Sequence, residues 1–129
     1  MSSSLSKLVF IVLCLALSGE GYPQAYPNRP ITLIVTLSPG SQSDIVARLL
    51  AGHMQTSLGQ PVVVENRVGA DGMIAAEAVS KSAPDGYTLL YGVSGTLAIA
   101  PTLYAGKMRY DTEKDLAPIA QVAHHATVL

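Results

Sequence analysis

Ile31-Thr32-Leu33-Ile34-Val35-Thr36, running into Leu37-Ser38-Pro39-Gly40-Ser41-Gln42-Ser43, is the stretch that decides the fold. Six residues that are β-branched or apolar, with no polar alternation, read as a strand buried on both faces. Burial on both faces is the mark of a strand inside a parallel sheet, which helices cover above and below. The Ser, Gly and Pro that follow read as a loop. From Asp44 to Leu58 the spacing predicts a helix with Val46, Leu49, Leu50, Met54 and Leu58 as its apolar stripe. Asp44 and Arg48 form an i,i+4 pair expected on its wet side, and Gly59 is the expected C-cap.

The same unit then repeats. Pro61 opens a second strand, Val62 to Asn66, and the Gly-rich loop Arg67 to Gly72 leads to a helix from Met73 to Lys81. Ile74, Ala75, Ala78 and Val79 are its expected inward residues, with Glu77 paired to Lys81. Pro84-Asp85-Gly86 is a turn signal, and Tyr87 to Val93 reads as the third strand. Ser94-Gly95-Thr96 is a second small polar loop before a short helical stretch from Leu97 to Tyr104. Asp111 to Asp115 reads as a charged turn, and Pro118 to Val122 as the start of a fourth strand.

The order β-α-β-α-β specifies an α/β parallel sheet with right-handed crossovers. The commonest layout is 2-1-3, in which the chain reverses direction across the sheet between strands 1 and 3. Ligands bind at that switch point, beyond the carboxyl ends of the strands. The loops expected to meet there are Leu37 to Ser43 and Ser94 to Thr96. Small side chains let a ligand approach backbone N–H groups, and the first loop also feeds a helix N-terminus that favours an anion. The candidate ligand-binding residues are therefore Ser38, Pro39, Gly40, Ser41, Ser43, Asp44, Ser94, Gly95 and Thr96. Asp44 carries a charge that repels an anion, so its structural role as a first-turn acid outweighs its role as a contact. Asp71 and Asp85 read as cap and turn residues.

Composition narrows the class. The chain has 129 residues, 49% of them hydrophobic and 13% charged, with a net charge of -1. That balance argues against disorder and against a basic groove for nucleic acid. Lys7, the apolar run Leu8 to Leu17 and the small residues from Ser18 to Gly21 form the pattern of an export signal, with cleavage between residues 19 and 25. At 1.5 Å per residue the apolar run reaches about half of a ~30 Å hydrocarbon core, too short for a spanning helix. Cys14 is the one cysteine and lies inside the signal, so residues 26–129 have no disulfide partner. The apolar ending Ala126 to Leu129 reads as the middle of a strand, the expectation being an incomplete chain.

Competing chemistries fit less well. Gly92-Val93-Ser94-Gly95-Thr96 follows a strand, as a hydrolase nucleophile elbow does, but that motif requires glycine where Thr96 stands. A Ser94 enzyme also needs a histidine held by an acid. His124 and His125 are the later candidates, and neighbours on a strand point to opposite faces. With His53 they read as packed or surface residues. No metal-ligand spacing, Walker A loop or dinucleotide fingerprint is present, so no metal and no cofactor is expected.

Several segments together resemble one family. They are Tyr26-Pro27 with Arg29-Pro30-Ile31-Thr32-Leu33-Ile34-Val35, Pro39-Gly40 with Asp44-Ile45-Val46-Ala47-Arg48-Leu49-Leu50, and Gly59-Gln60-Pro61-Val62-Val63-Val64-Glu65-Asn66-Arg67. Gly69-Ala70 with Gly72, Ala83 to Leu90, Tyr110-Asp111 and Lys114 to Ile119 complete the set. In this order they resemble the start of the tripartite tricarboxylate transporter substrate-binding proteins, the Bug family. The resemblance implies a two-lobed, type II Venus-flytrap fold, of which residues 26–129 are the first half of lobe 1. It implies a periplasmic receptor that captures a small di- or tricarboxylate and hands it to membrane permease subunits, without enzymatic activity. It also implies a cleft-rim role for Arg67, Gly69, Ala70 and Gly72. The family usually has Pro-Gly-Gly where this chain has Pro39-Gly40-Ser41, and often His and Asn where it has Leu97 and Ala100. A Ser94 hydrolase and a truncated product without function are the alternatives.

Overall fold

A computed structural model describes residues 25–124. The expected export segment up to residue 24, His125 and the apolar ending fall outside them. Three strands form one parallel sheet: β1 (Ile31–Val35), β2 (Val62–Asn66) and β3 (Thr88–Tyr91), in the order β2-β1-β3. Ile31 pairs with Val62, Val35 with Asn66 and also with Tyr91, so the strands are flush at their carboxyl ends. The order matches the expected 2-1-3 layout. β1 is central because it alone in the sheet is apolar at nearly every position.

Helix α1 (Gln42–Leu58) crosses from β1 to β2 and α2 (Met73–Ser80) from β2 to β3. The two crossovers run in opposite directions along the sheet, so right-handed connections place the helices on opposite faces. Leu33 and Val35 meet Ala47 and Ala51 of α1, and Val62, Val64, Leu89 and Tyr91 pack around that cluster. Each fully buried aliphatic side chain there contributes about 1.5–3 kcal/mol through removal from water.

Ala75 is buried as expected and Val46, Leu50, Met54 and Leu58 are part-buried, but in each helix one expected inward residue faces out and alanine makes the closest contact. In α1 the buried line is Asp44, Ala47 and Ala51, whereas Leu49 is 63% exposed. In α2 the buried residues are Ala75 and Ala76, whereas Ile74 is half exposed. Alanine lets a helix settle close on a sheet, and larger residues flank the contact. Leu49→Gln is accordingly expected to move the melting temperature by no more than about 2 °C. Ala47→Leu, which forces three carbons into the α1–β1 contact, should lower it by about 5 °C. A pair of thermal melts followed by circular dichroism checks both, and equal effects would contradict this packing.

The third strand is shorter than expected, and a single π turn, Gly95–Ile99, precedes the one-turn helix α3 (Ala100–Leu103). Residues 118–122 do not form a fourth strand. They run without ladder bonds, with Ile119 79% exposed. β-propensity without an adjacent strand to pair with does not make a strand. The turn at 111–115 is as expected: the Asp111 carboxylate accepts from the amides of Glu113 and Lys114 and pairs with the Lys114 ammonium. At the amino end of the sheet, Arg29 lies over the Tyr87 ring at 4.1 Å and pairs with Asp85 at 2.7 Å. The Tyr26 hydroxyl donates to the Gly86 carbonyl, which ties the entry segment down opposite the candidate site.

Candidate functional site

Three loops leave the carboxyl edge of the sheet. The first, residues 36–41, is built around Asp44. Gly40 takes a left-handed φ of 79°. Ser41 stays at φ -66° as the N-cap of α1, its Oγ accepting from the Asp44 amide. The positive φ is confined to Gly40, so serine in place of the family's second glycine costs the turn nothing. Residues 38–40 are exposed, and Ser43 is half-buried. The first-turn amides of Gln42 and Ser43 have no intrahelical acceptor by helix geometry.

Asp44 itself is 3% exposed, on the buried side of α1 rather than the wet one. Its Oδ2 accepts from the Gly40 amide at 2.9 Å and from Arg48 Nε at 3.0 Å. Its Oδ1 accepts from Asn66 Nδ2 at 2.9 Å and pairs with an Arg48 terminal nitrogen at 3.0 Å. Arg48, the Gly40 amide and Asn66, in that order, hold its carboxyl at about 2 against an ordinary 3.8, although burial opposes them. Asn66 Nδ2 also donates to the Leu37 carbonyl. The carboxylate is thus spent on fixing the β1–α1 loop against the end of β2, not on a ligand.

The second loop follows β2. Gly69, Ala70, Asp71 and Gly72 all have positive φ, at 134°, 46°, 54° and 84°. Asp71 lies in the tight turn Ala70–Gly72 as expected, but its side chain is used elsewhere: its Oδ2 accepts from the Tyr104 hydroxyl at 2.7 Å. Asp85 does hold its turn, accepting from the Tyr87 amide. Arg67 forms an ion pair with Glu65 at 2.7 Å, and its amide donates to the Val35 carbonyl. In the third loop Ser94 is exposed, Gly95 is half-buried and Thr96 is fully buried. The Thr96 hydroxyl donates to the Asp71 carbonyl at 2.8 Å, so it points inward. Among the described residues no histidine or carboxylate hydrogen-bonds Ser94.

All three loops meet at Gly72. A Cβ built on Gly72 would overlap Thr96 Oγ1 and stand 2.9 Å from Thr36 Cβ. Thr36, 1% exposed at the end of β1, carries a hydroxyl with no hydrogen-bond partner among the described residues. The sequence reading missed Thr36, Asn66 and Tyr104. Polar residues closing strands β1 and β2 were the available signal for the first two. Thr96, expected as a contact, is committed internally, and so is Asp44, a candidate already read chiefly as structural. What faces outward is Ser38, Pro39, Gly40, Gln42 and Ser94, with Ser41, Ser43 and Gly95 half-buried between them.

A parallel α/β sheet with small-residue loops gathered at its carboxyl edge is the layout in which open α/β sheets place a ligand site. The family model described as the tripartite tricarboxylate transporter family receptor matches residues 46–129, and the chain belongs to that family. Protein BugT of Bordetella pertussis is 44% identical over 126 residues, which cover 95% of this chain and 38% of BugT. A UPF0065 protein of Bordetella bronchiseptica is likewise 44% identical, over 91% of this chain and 35% of its own length. The chain therefore spans little more than a third of these relatives. Among solved structures, a periplasmic transporter superposes with a TM-score of 0.66 at 43% identity, covering 68% of this chain and 29% of its own. MatC of Rhodopseudomonas palustris with bound malate superposes with a TM-score of 0.65 at 42% identity, over 70% of this chain and 30% of MatC.

Proposed function

We propose that this chain is the N-terminal part of a periplasmic receptor for small di- or tricarboxylates. In this reading residues up to about 25 are its export signal, and 26–129 are part of the first of two lobes. The observation that carries the reading is the pair of Ser/Gly loops leaving the same edge of adjacent strands β1 and β3. The amides of Gln42 and Ser43 and the hydroxyls of Ser38, Ser41 and Ser43 receive one carboxylate, with Ser94 and Gly95 close by, the Gly40 amide being committed to Asp44. Arg48 and Arg67 are both paired with acids, so the donors are neutral dipoles, with α1 adding the positive end of its helix dipole. In an intact receptor a second lobe closes over the solute, shifting the population toward the closed state, and permease subunits accept the load. The malate in MatC supports the choice of solute class.

Half a cleft forfeits the second set of hydrogen bonds and most of the desolvation. This chain should therefore bind malate, succinate or citrate only in the millimolar range, about -4 kcal/mol. A titration of the chain with malate, followed by amide NMR shifts, is expected to move residues 38–43 and 94–96. Shifts confined to the amino edge of the sheet, or micromolar affinity, would sink the proposal.

A further inference from the structure

The rim loop 69–72 is costly in backbone terms. Ala70 and Asp71 are non-glycine residues in the left-handed region, at φ 46° and 54°, flanked by two glycines of positive φ. A residue with a Cβ visits that region at a penalty, and successive ones persist only where the surroundings fix them. Two bonds from beyond β3 supply the fixing. Thr96 Oγ1 donates to the main-chain carbonyl of Asp71, and the Tyr104 hydroxyl donates to its carboxylate. One grips the backbone and the other the side chain of the same strained residue. Gly72 then packs against Thr96 and Thr36 with no room for a Cβ.

We propose that Tyr104 and Thr96 are positioning residues that latch the loop 69–72 to the loop 94–96 through Asp71, so that both face the ligand as one preformed unit. The inference rests on the reading that residues 94–96 border the ligand. Tyr104 needs no contact with the solute: it lies past α3, and its hydroxyl acts only through Asp71. Without the latch, the strained residues relax toward ordinary φ values and the rim leaves the edge of β3. Binding then has to restore the rim's order, and the lost order appears as lost affinity.

Hydrogen exchange and malate titration on the full chain test this together. In Tyr104→Phe, the Gly72 amide, which donates to the Gly69 carbonyl across the loop, should exchange about tenfold faster, the worth of one lost hydrogen bond, while the amides of β1 keep their rate. Thr96→Val should do the same, and Thr96→Ser, which keeps the hydroxyl, should restore the original rate. Malate-induced shifts at 94–96 should require severalfold more ligand in Tyr104→Phe. Unchanged exchange at Gly72, loss of protection spread equally into β1, or failure of Thr96→Ser to restore the rate overturns the latch. Faster exchange with an unchanged malate titration overturns its positioning role. If malate shifts nothing in the parent chain, the carboxylate reading fails, while exchange still decides the latch.

Discussion

Asp44→Ala is expected to lower the melting temperature by about 15 °C, because three separate groups lose their acceptor at once. The Gly40 amide, the Arg48 guanidinium and the Asn66 amide all donate to this one carboxylate. Alanine offers none of them a replacement, and Asp44 is too enclosed for water to take over freely. The loss spreads along the chain, since Asn66 also holds the Leu37 carbonyl and so joins the end of β2 to the first loop. Asp44→Asn should fall in between, keeping one oxygen but placing an N–H₂ group where the carboxylate accepted.

The same carboxylate sets an acid limit. Its pKa is held at about 2 in the folded chain against an ordinary 3.8, so the folded state favours the ionised form. The stability this brings is complete above pH 3.8 and is lost as the pH falls toward about 2. Glu77, lowered chiefly by Lys81, and Asp111, lowered chiefly by Lys114, act in the same direction. Acid unfolding of the parent chain should therefore steepen below pH 3.8, and Asp44→Asn should show a shallower slope there. An identical slope in the variant would mean that the ion pair contributes nothing to folding.

How much of this was legible in the sequence follows from distance along the chain. The strands and their order were readable because Ile31 to Val35 is apolar on both faces and because the βαβ unit occurs twice. The loops at the carboxyl edge followed from strand direction alone. The buried faces of the helices were misread at Leu49 and Ile74, since hydropathy ranks leucine and isoleucine above alanine. Here close approach to the sheet selected Ala47, Ala51 and Ala76 as well as the expected Ala75. Asp44 read as a wet acid because carboxylates are rarely enclosed without partners. Its partner Asn66 stands 22 residues away, and only the β1–β2 pairing brings the two together. The Tyr104–Asp71 bond spans 33 residues and two loops, with no local pattern to announce it.

Gly72→Ala should be the most damaging single methyl group in the chain, costing about 3–5 kcal/mol and drawing the three loops apart. Two penalties act together. The backbone at φ 84° disfavours any Cβ, and the added carbon would overlap Thr96 Oγ1 while crowding Thr36 Cβ at 2.9 Å. Neither neighbour can yield cheaply: Thr96 is bonded to the Asp71 carbonyl, and Thr36 is fixed at the end of the central strand. The steric part can be separated from the conformational part with a second substitution. Thr96→Ala removes the overlapping oxygen, so Gly72→Ala should cost less in that background than in the parent chain, by about 1 kcal/mol or more. The remaining cost belongs to the left-handed backbone and to Thr36. Urea melts of the four members of this cycle measure the coupling, and strict additivity would show that the loops do not meet at Gly72. Gly69→Ala is an informative comparison. A Cβ there would meet the end of the flexible Ile74 side chain, 2.7 Å away, which can rotate aside. Its cost should come mainly from the backbone φ of 134° and remain below that of Gly72→Ala.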